Sequence, residues 1–178
     1  MQQLISKKKE PAIGGIRRVK YSTRFGEGIL SWQEGELLAH SLPGAAPEKL
    51  SGIAPEAAEP QTASENLFTC TLESYFHGEQ VSFPLGDIPL EQLFTTPFQL
   101  DVITALAAVP YGHTTSYGEL AAKAGHPQAH RAVGNLMAAN PLPLIIPCHR
   151  VLKSDGSLGR FSAGDEWKPR LLELEGIR

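Results

Sequence analysis

Two helix-start signals in the second half of the chain limit its fold more than any other feature. Thr96-Pro97-Phe98-Gln99 and Ser116-Tyr117-Gly118-Glu119 are both capping boxes. In each, a hydroxyl residue accepts from the backbone three residues on, and a Gln or Glu at that position returns the bond. Proline at the first helical position strengthens the first box. Phe98, Val102, Leu106 and Val109 then recur at helical spacing, which predicts a helix through about Val109, closed by Pro110-Tyr111-Gly112. The second box opens a short helix through Lys123 or Ala124 that Gly125 terminates, and a third helix is predicted over about 128–139, ended by Asn140-Pro141. Helix, glycine turn, helix is the outline of a helix-turn-helix, and equally of an αα-hairpin packed in a core.

The first half is patterned differently. The first twenty residues read as a basic, frayed lead-in. From Tyr21 to Leu42 short strands alternate with the turn signals Phe25-Gly26-Glu27-Gly28 and Gln33-Glu34-Gly35-Glu36, which predicts a meander or hairpin. Residues 43–60, rich in Pro, Ala, Gly and Glu, read as a surface loop. Residues 62–76 read as an amphipathic helix burying Leu67, Leu72, Tyr75 and Phe76, with a strand to follow around Val81-Ser82-Phe83. Gly86-Asp87-Ile88-Pro89 is the candidate interdomain linker. The fold class is therefore α+β, in two small domains divided at about residue 92.

At 178 residues, with 42% hydrophobic and 20% charged side chains, the chain can bury one good core or two small ones. No stretch approaches the roughly 20 apolar residues of a membrane span, and no apolar run follows the basic N-terminal cluster as a secretory signal requires. Two cysteines, Cys70 and Cys148, exclude a disulfide framework and a four-thiolate zinc site. A reducing, cytoplasm-like compartment is expected. The net charge of −3 leaves any nucleic-acid binding to rest on a local surface.

The chemistry concentrates in Asn140-Pro141-Leu142-Pro143-Leu144-Ile145-Ile146-Pro147-Cys148-His149-Arg150-Val151. Sequence neighbours point in different directions, so His149 serves Cys148 only if the backbone turns there or a water bridges them. A thiolate nucleophile needs a base, and the imidazole needs a carboxylate to set its tautomer. Glu175, in Leu171-Leu172-Glu173-Leu174-Glu175-Gly176, is the candidate. The competing reading makes Cys148 an inert core thiol, since free cysteine is among the most buried residue types.

Pro147-Cys148-His149-Arg150-Val151 resembles the active-site motif of the O6-alkylguanine-DNA alkyltransferases, the methylated-DNA–protein-cysteine methyltransferases. The resemblance runs from about Thr96 to Gly176, 81 of 178 residues. It takes in Pro110-Tyr111-Gly112, Thr115-Ser116-Tyr117-Gly118-Glu119-Leu120-Ala121, Arg131-Ala132-Val133-Gly134, Asn140-Pro141 and the closing Leu171-Leu172-Glu173-Leu174-Glu175-Gly176. It implies a ribonuclease-H-like sheet domain over 1–92 and a winged-helix-like domain over 93–178 that binds DNA and carries the site.

It also implies a single-turnover suicide transferase acting on double-stranded DNA that contains O6-alkylguanine. Cys148 would take the alkyl group, His149 would act as base through a water, and Glu175 would orient the ring. Tyr117 would donate to the purine N3 and crowd the neighbouring phosphate. Asn140 would pin the turn leading to the cysteine. Arg131 would fill the space left by the flipped base, on a helix kept slim for the minor groove by Ala129 and Ala132. Thr114, Thr115 and Ser116 would meet phosphates; capping is their alternative role. The carbonyls of Cys148 and Val151 and the Ser162 N–H would hold the base in a pocket lined by Met137, Pro143 and Phe161.

Phe161 stands where many members have tyrosine, Ala163 where glycine is common, and Asn135 where a second glycine is frequent. No cofactor and no structural metal are expected, because Cys70, His40 and His77 make an incomplete zinc set; Cys70 reads as a core residue. The chain is expected to be monomeric, with cooperative assembly on DNA as an option and no membrane partner. It would be nucleoid-associated in a prokaryote or nuclear in a eukaryote. Two other functions compete: a lesion-binding relative without transfer activity, against which Cys148 itself argues, and a cysteine hydrolase using Cys148, His149 and Glu175, for which the sequence offers no oxyanion-hole motif.

Overall fold

The computed structural model describes residues 15–44 and 57–177. Most of the basic lead-in and the middle of the 43–60 loop lie outside the described residues. The lead-in is nevertheless shorter than the sequence predicts, because the first strand begins at Arg17.

Three antiparallel strands form a meander in the order β1 (Arg17–Thr23), β2 (Gly26–Gln33) and β3 (Glu36–Ser41). Glu34 and Gly35 both have positive φ, +53° and +84°. A two-residue hairpin turn with that combination twists the same way as its strands. One face collects Val19, Tyr21, Leu30, Trp32 and Leu37, all buried. Register on that face is kept by pairing Val19 with Leu30 and Tyr21 with Gly28. The β2–β3 register then shifts between Ser31 and Trp32: Trp32 pairs with Leu37, but Leu30 pairs with His40. Leu37 and His40, three residues apart, therefore face the same way, which a regular strand forbids. The bulge turns a histidine into the core.

Helix α1 (Ala63–Phe76) covers that face, with β1 as its nearest strand. It is capped by the Thr62–Glu65 box, and the Glu65 carboxylate also accepts from Arg17 Nε at 2.9 Å. Its buried face is Phe68, Leu72, Tyr75 and Phe76. Leu67, predicted to be buried, is 47% exposed, and Cys70, read as a core residue, is also exposed. Both sit on the far side of the aromatic stripe that meets the sheet. No strand forms at 81–83; the chain runs irregularly there into a 3-10 turn at Leu85–Asp87 and the short helix α2 (Leu90–Leu93), neither of which the sequence signalled.

In the second half, both capping boxes form as written. Thr96 caps α3 (Pro97–Ala107), which stops two residues earlier than predicted, and Ser116 caps α4 (Tyr117–Lys123). Gly125, at φ +83°, turns the chain toward α5 (His130–Ala138). Between α3 and α4, β4 (Thr115–Ser116) pairs in parallel with β5 (Val151–Leu152). That two-rung ladder ties the start of the helix pair to the segment just after Cys148. Helix α6 (Trp167–Leu174) closes the chain. Buried side chains from both halves form one hydrophobic cluster, running from Val19 through Phe76 and Leu106 to Cys148 and Leu171. Among the described residues no helix is long and apolar enough to cross a membrane.

Gly28 has a packing reason to be glycine, since a Cβ there would overlap the Tyr21 ring on the neighbouring strand. Gly28→Ala is expected to cost about 1–3 kcal/mol through that overlap. Urea unfolding checks this, and a midpoint unchanged from the parent would refute it.

Candidate active site

The approach to Cys148 is an apolar segment with three prolines and one strained residue. Leu144 adopts φ +73°, a left-handed conformation costing a leucine about 1–2 kcal/mol. The surrounding bonds hold it. Asn140, 1% exposed, accepts from the Leu142 N–H at 3.0 Å and donates through Nδ2 to the Ile146 carbonyl at 3.0 Å. The same amide reaches the Cys148 thiol, 3.1 Å from Sγ. One side chain thus fixes the turn and touches the sulfur that the turn delivers.

Cys148 opens a 3-10 turn, Cys148–Arg150, immediately after Pro147. The backbone does bend at the Cys–His step, yet the ring does not meet the thiol. His149, fully buried, bonds through Nε2 to Glu175 Oε1 at 2.7 Å, and its Nδ1 has no hydrogen-bond partner. A carboxylate only accepts, so the hydrogen lies on Nε2 and the lone pair on Nδ1. The neutral ring is therefore a base with its free side buried near the thiol-bearing turn.

Glu175 is the electrostatic centre. Oε1 accepts from His149, from the Tyr75 hydroxyl at 3.0 Å and from Arg150 Nη2 at 2.9 Å. Oε2 accepts from Gly112 N at 3.1 Å and Arg150 Nε at 3.0 Å. Burial alone disfavours its charge, but the bonds from His149 and Arg150 outweigh that and hold its pKa down to about 2. Burial likewise lowers the His149 pKa, against the pull of Glu175, so the ring is neutral at pH 7. Arg150 anchors its other end on the Val109 carbonyl at 2.7 Å.

Around the sulfur, burial pushes the thiol up to about 11, eased by Asn140 and by Lys168. Lys168 is the functional-looking residue that the sequence did not reveal. It is 1% exposed, donates from Nζ to the Val151 carbonyl at 2.6 Å, and lies 5.7 Å from the Tyr117 ring centroid. Burial lowers it to about 8. On the second residue of a helix, a lysine reads as a solvated charge; only its fit beneath Tyr117 distinguishes it. Tyr117 itself is half-buried, and burial with the nearby Cys148 raises its pKa. Gly159 was also missed. A Cβ there would overlap the Tyr117 hydroxyl, so glycine is what lets the phenol lie where it does.

The remaining candidates divide by exposure. Met137, Pro143, Val151 and Phe161 are buried in the same cluster as Cys148 or against it, while Ser162 is exposed. The Val151 carbonyl accepts from Lys168. On α5, Arg131 and Ala132 are exposed and Ala129 is the residue before its first turn. Arg131 makes no ion pair among the described residues. Thr114 is exposed; Thr115 is buried, its hydroxyl on Glu119 Oε2 at 3.3 Å; Ser116 accepts from Glu119 N as the cap. Among the described residues no group of three His, Cys, Asp or Glu side chains converges as a metal site, Cys70, His40 and His77 included. The arrangement is a neutral, buried thiol beside a neutral imidazole with a free lone pair, backed by a permanent carboxylate.

Removing that carboxylate has a pH signature. Its folded pKa is depressed from about 4.5 to about 2, so its stabilisation is complete above pH 4.5 and drains away as pH falls toward 2. Glu175→Gln is therefore expected to melt lower at pH 7 and to lose less between pH 5 and pH 3 than the parent. Parallel melting curves across that range would contradict this.

Residues 97–177 match the family model described as the 6-O-methylguanine DNA methyltransferase, DNA binding domain. The methylated-DNA–protein-cysteine methyltransferase of Rattus norvegicus is 43% identical over 142 residues, 75% of this chain. The match spans 63% of that relative's length. Among solved structures, the Mycobacterium tuberculosis O6-methylguanine methyltransferase superposes with a TM-score of 0.74 at 32% identity, covering 92% of this chain and 94% of the other. A crystal structure of Mycobacterium tuberculosis OGT in complex with DNA gives 0.73 at 32% identity, covering 90% and 93%. With the thiol, the imidazole and the carboxylate in place and a solved relative matched over nearly its whole length, the chain belongs to the O6-alkylguanine-DNA alkyltransferase family.

Proposed function

We propose that this chain repairs DNA by moving the alkyl group of O6-alkylguanine irreversibly onto Cys148. The observation that carries the reading is the unpartnered His149 Nδ1, buried next to the Cys148 turn while Nε2 is locked on Glu175. That ring is set to receive a proton, through a water, from the sulfur. The sulfur then attacks the alkyl carbon in line: an S–C bond forms, the C–O6 bond breaks, and its electron pair stays on guanine. Tyr117, kept protonated by burial, donates toward N3 and neutralises the leaving purine. Regeneration would require breaking a thioether, so each molecule turns over once.

The base cannot be reached inside the stack and must be flipped out. Arg131, exposed near the start of α5 and unpaired within the described residues, is the side chain proposed to occupy the gap, with Ala129 and Ala132 keeping the helix close to the minor groove. The related Mycobacterium tuberculosis protein in complex with DNA supports DNA as the partner. Thr114, the Ser116 cap and the α4 N-terminus are proposed to meet phosphates, and Thr115, being buried, to serve by holding Glu119. Met137, Pro143, Val151, Phe161 and the Ser162 N–H are proposed to bound the guanine site. On the same reading residues 1–92 are a ribonuclease-H-like domain and 93–178 a winged-helix-like one, and the protein acts as a monomer.

Incubation with duplex DNA carrying O6-methylguanine is expected to add one methyl mass to the Cys148 peptide and to leave guanine in the DNA. Cys148→Ala should bind the lesion and leave it intact. An unmodified Cys148 peptide after incubation with the parent protein would overturn the reading. Arg131→Ala is expected to slow repair of duplex DNA by tenfold or more, on the order of the flipping energy forfeited, and to leave attack on free O6-benzylguanine nearly unchanged. Equal losses on the two substrates would remove Arg131 from the flipping role.

A further inference from the structure

His40 lies on β3, far in sequence from the site, and the proposed mechanism makes no use of it. It is 2% exposed, and both its ring nitrogens are bonded: Nδ1 to the Pro143 carbonyl at 2.7 Å, Nε2 to the Tyr21 hydroxyl at 2.7 Å. Its backbone N–H donates to the Pro141 carbonyl at 2.9 Å. A carbonyl only accepts, so Nδ1 carries the hydrogen, and Nε2 of the neutral ring accepts a hydrogen bond from the Tyr21 hydroxyl. Burial suits the neutral form. These two bonds grip the carbonyls on either side of Leu142, the residue whose N–H is held by Asn140 Oδ1. Leu142 in turn accepts from Ile146 N at 2.9 Å, around the left-handed Leu144. The next amide hydrogen in the chain of contacts is the one from Asn140 to the sulfur.

We propose that His40, braced by Tyr21, is a positioning residue for the acceptor thiol: it clamps the Pro141–Pro143 turn from the sheet and so keeps the Asn140 amide on Cys148. The strained turn persists only where its surroundings over-determine it, and this clamp is the contribution of the first half of the chain. The inference rests on Cys148 being the reacting group, but its test reads the thiol directly and needs no DNA. The groups facing the sulfur are the Asn140 amide and the Leu144 backbone from the turn, Lys168 from α6 and Tyr117 from α4; His40 acts on those of the turn.

The experiment is alkylation of the full chain by iodoacetamide across pH 7–10, with the Cys148 and Cys70 peptides quantified separately by mass spectrometry. His40→Leu is expected to slow Cys148 on the order of tenfold at pH 7–8, the thiolate lost for a rise of about one pKa unit, and to move its pH–rate profile upward. Cys70, exposed on α1, is the internal control and should not change. His40→Asn, which keeps a donor where Nδ1 sits, should restore most of the rate. Tyr21→Phe, which removes one hydroxyl, should shift the profile in the same direction by less, and it carries the test if His40→Leu does not fold. An unmoved profile, faster alkylation of Cys148, or failure of His40→Asn to restore the rate would overturn the positioning role. None of these outcomes depends on whether the parent repairs DNA, so a failed methyl-transfer assay and a failed clamp remain separate results.

Discussion

A single buried negative charge organises the molecule. Glu175 is 5% exposed and stays ionised because hydrogen-bond donors from three separate elements converge on it. Tyr75 comes from α1, Gly112 from the loop before β4, and His149 and Arg150 from the turn that carries Cys148. An uncompensated carboxylate in that position would cost several kcal/mol. Docking of α1, closure of the Gly112 loop and the 3-10 turn at Cys148 are thus coupled through one group. The same charge also decides which nitrogen of His149 is free, so stability and chemistry share a cause.

Much of this was legible in the sequence wherever the signal was local. Both capping boxes, the Gly125 turn and the Glu34-Gly35 hairpin are rules about residues a few positions apart, and each took the form read from it. Glu175 was found because triad logic asks for a carboxylate and the closing helix offered one. Where two local signals competed, packing chose. On α1 the apolar Leu67 and Cys70 lost the core to Phe68, Leu72, Tyr75 and Phe76, because the larger aromatic payload faces Trp32 and Tyr21 on the sheet. The Val81-Ser82-Phe83 segment had strand-forming residues and formed no strand; β propensity expresses itself only where a partner strand lies alongside.

The unread residues are those whose meaning is non-local. Lys168 is informative only because its ammonium lies under Tyr117 and on the Val151 carbonyl. Gly159 matters only because the Tyr117 hydroxyl occupies the volume of its missing side chain. Tyr75 read as a buried aromatic, and its hydroxyl, 100 residues away from Glu175, was invisible. His40 was worse than invisible: alternation from Leu37 assigns it to the opposite face, and only the extra residue at the bulge reverses that. Bulges of this kind re-aim side chains near sites, and this one brings His40 onto the Tyr21 hydroxyl and the Pro143 carbonyl.

The two cysteines show what burial does for a proposed single-use acceptor. Cys70 is exposed on a helix and open to any electrophile or oxidant in solution. Cys148 is 1% exposed with its thiol pushed up to about 11, so at neutral pH it is almost wholly a thiol, and a thiol is a poor nucleophile. For an enzyme with many turnovers such a resting state would be a handicap. For a chain spent after one proposed transfer it is protection, because every adventitious reaction destroys a molecule. Activation must then come from groups that act only when a substrate fills the space beside the sulfur. Asn140 already holds the sulfur, Lys168 supplies positive charge next to it, and His149 keeps a lone pair in reserve. None of these ionises the thiol at rest, and a substrate that orders a water between Sγ and Nδ1 would complete the path for its proton. The high resting pKa and the poised, idle imidazole are two halves of one design, in which, on the proposed function, reactivity is withheld until a substrate reaches the sulfur.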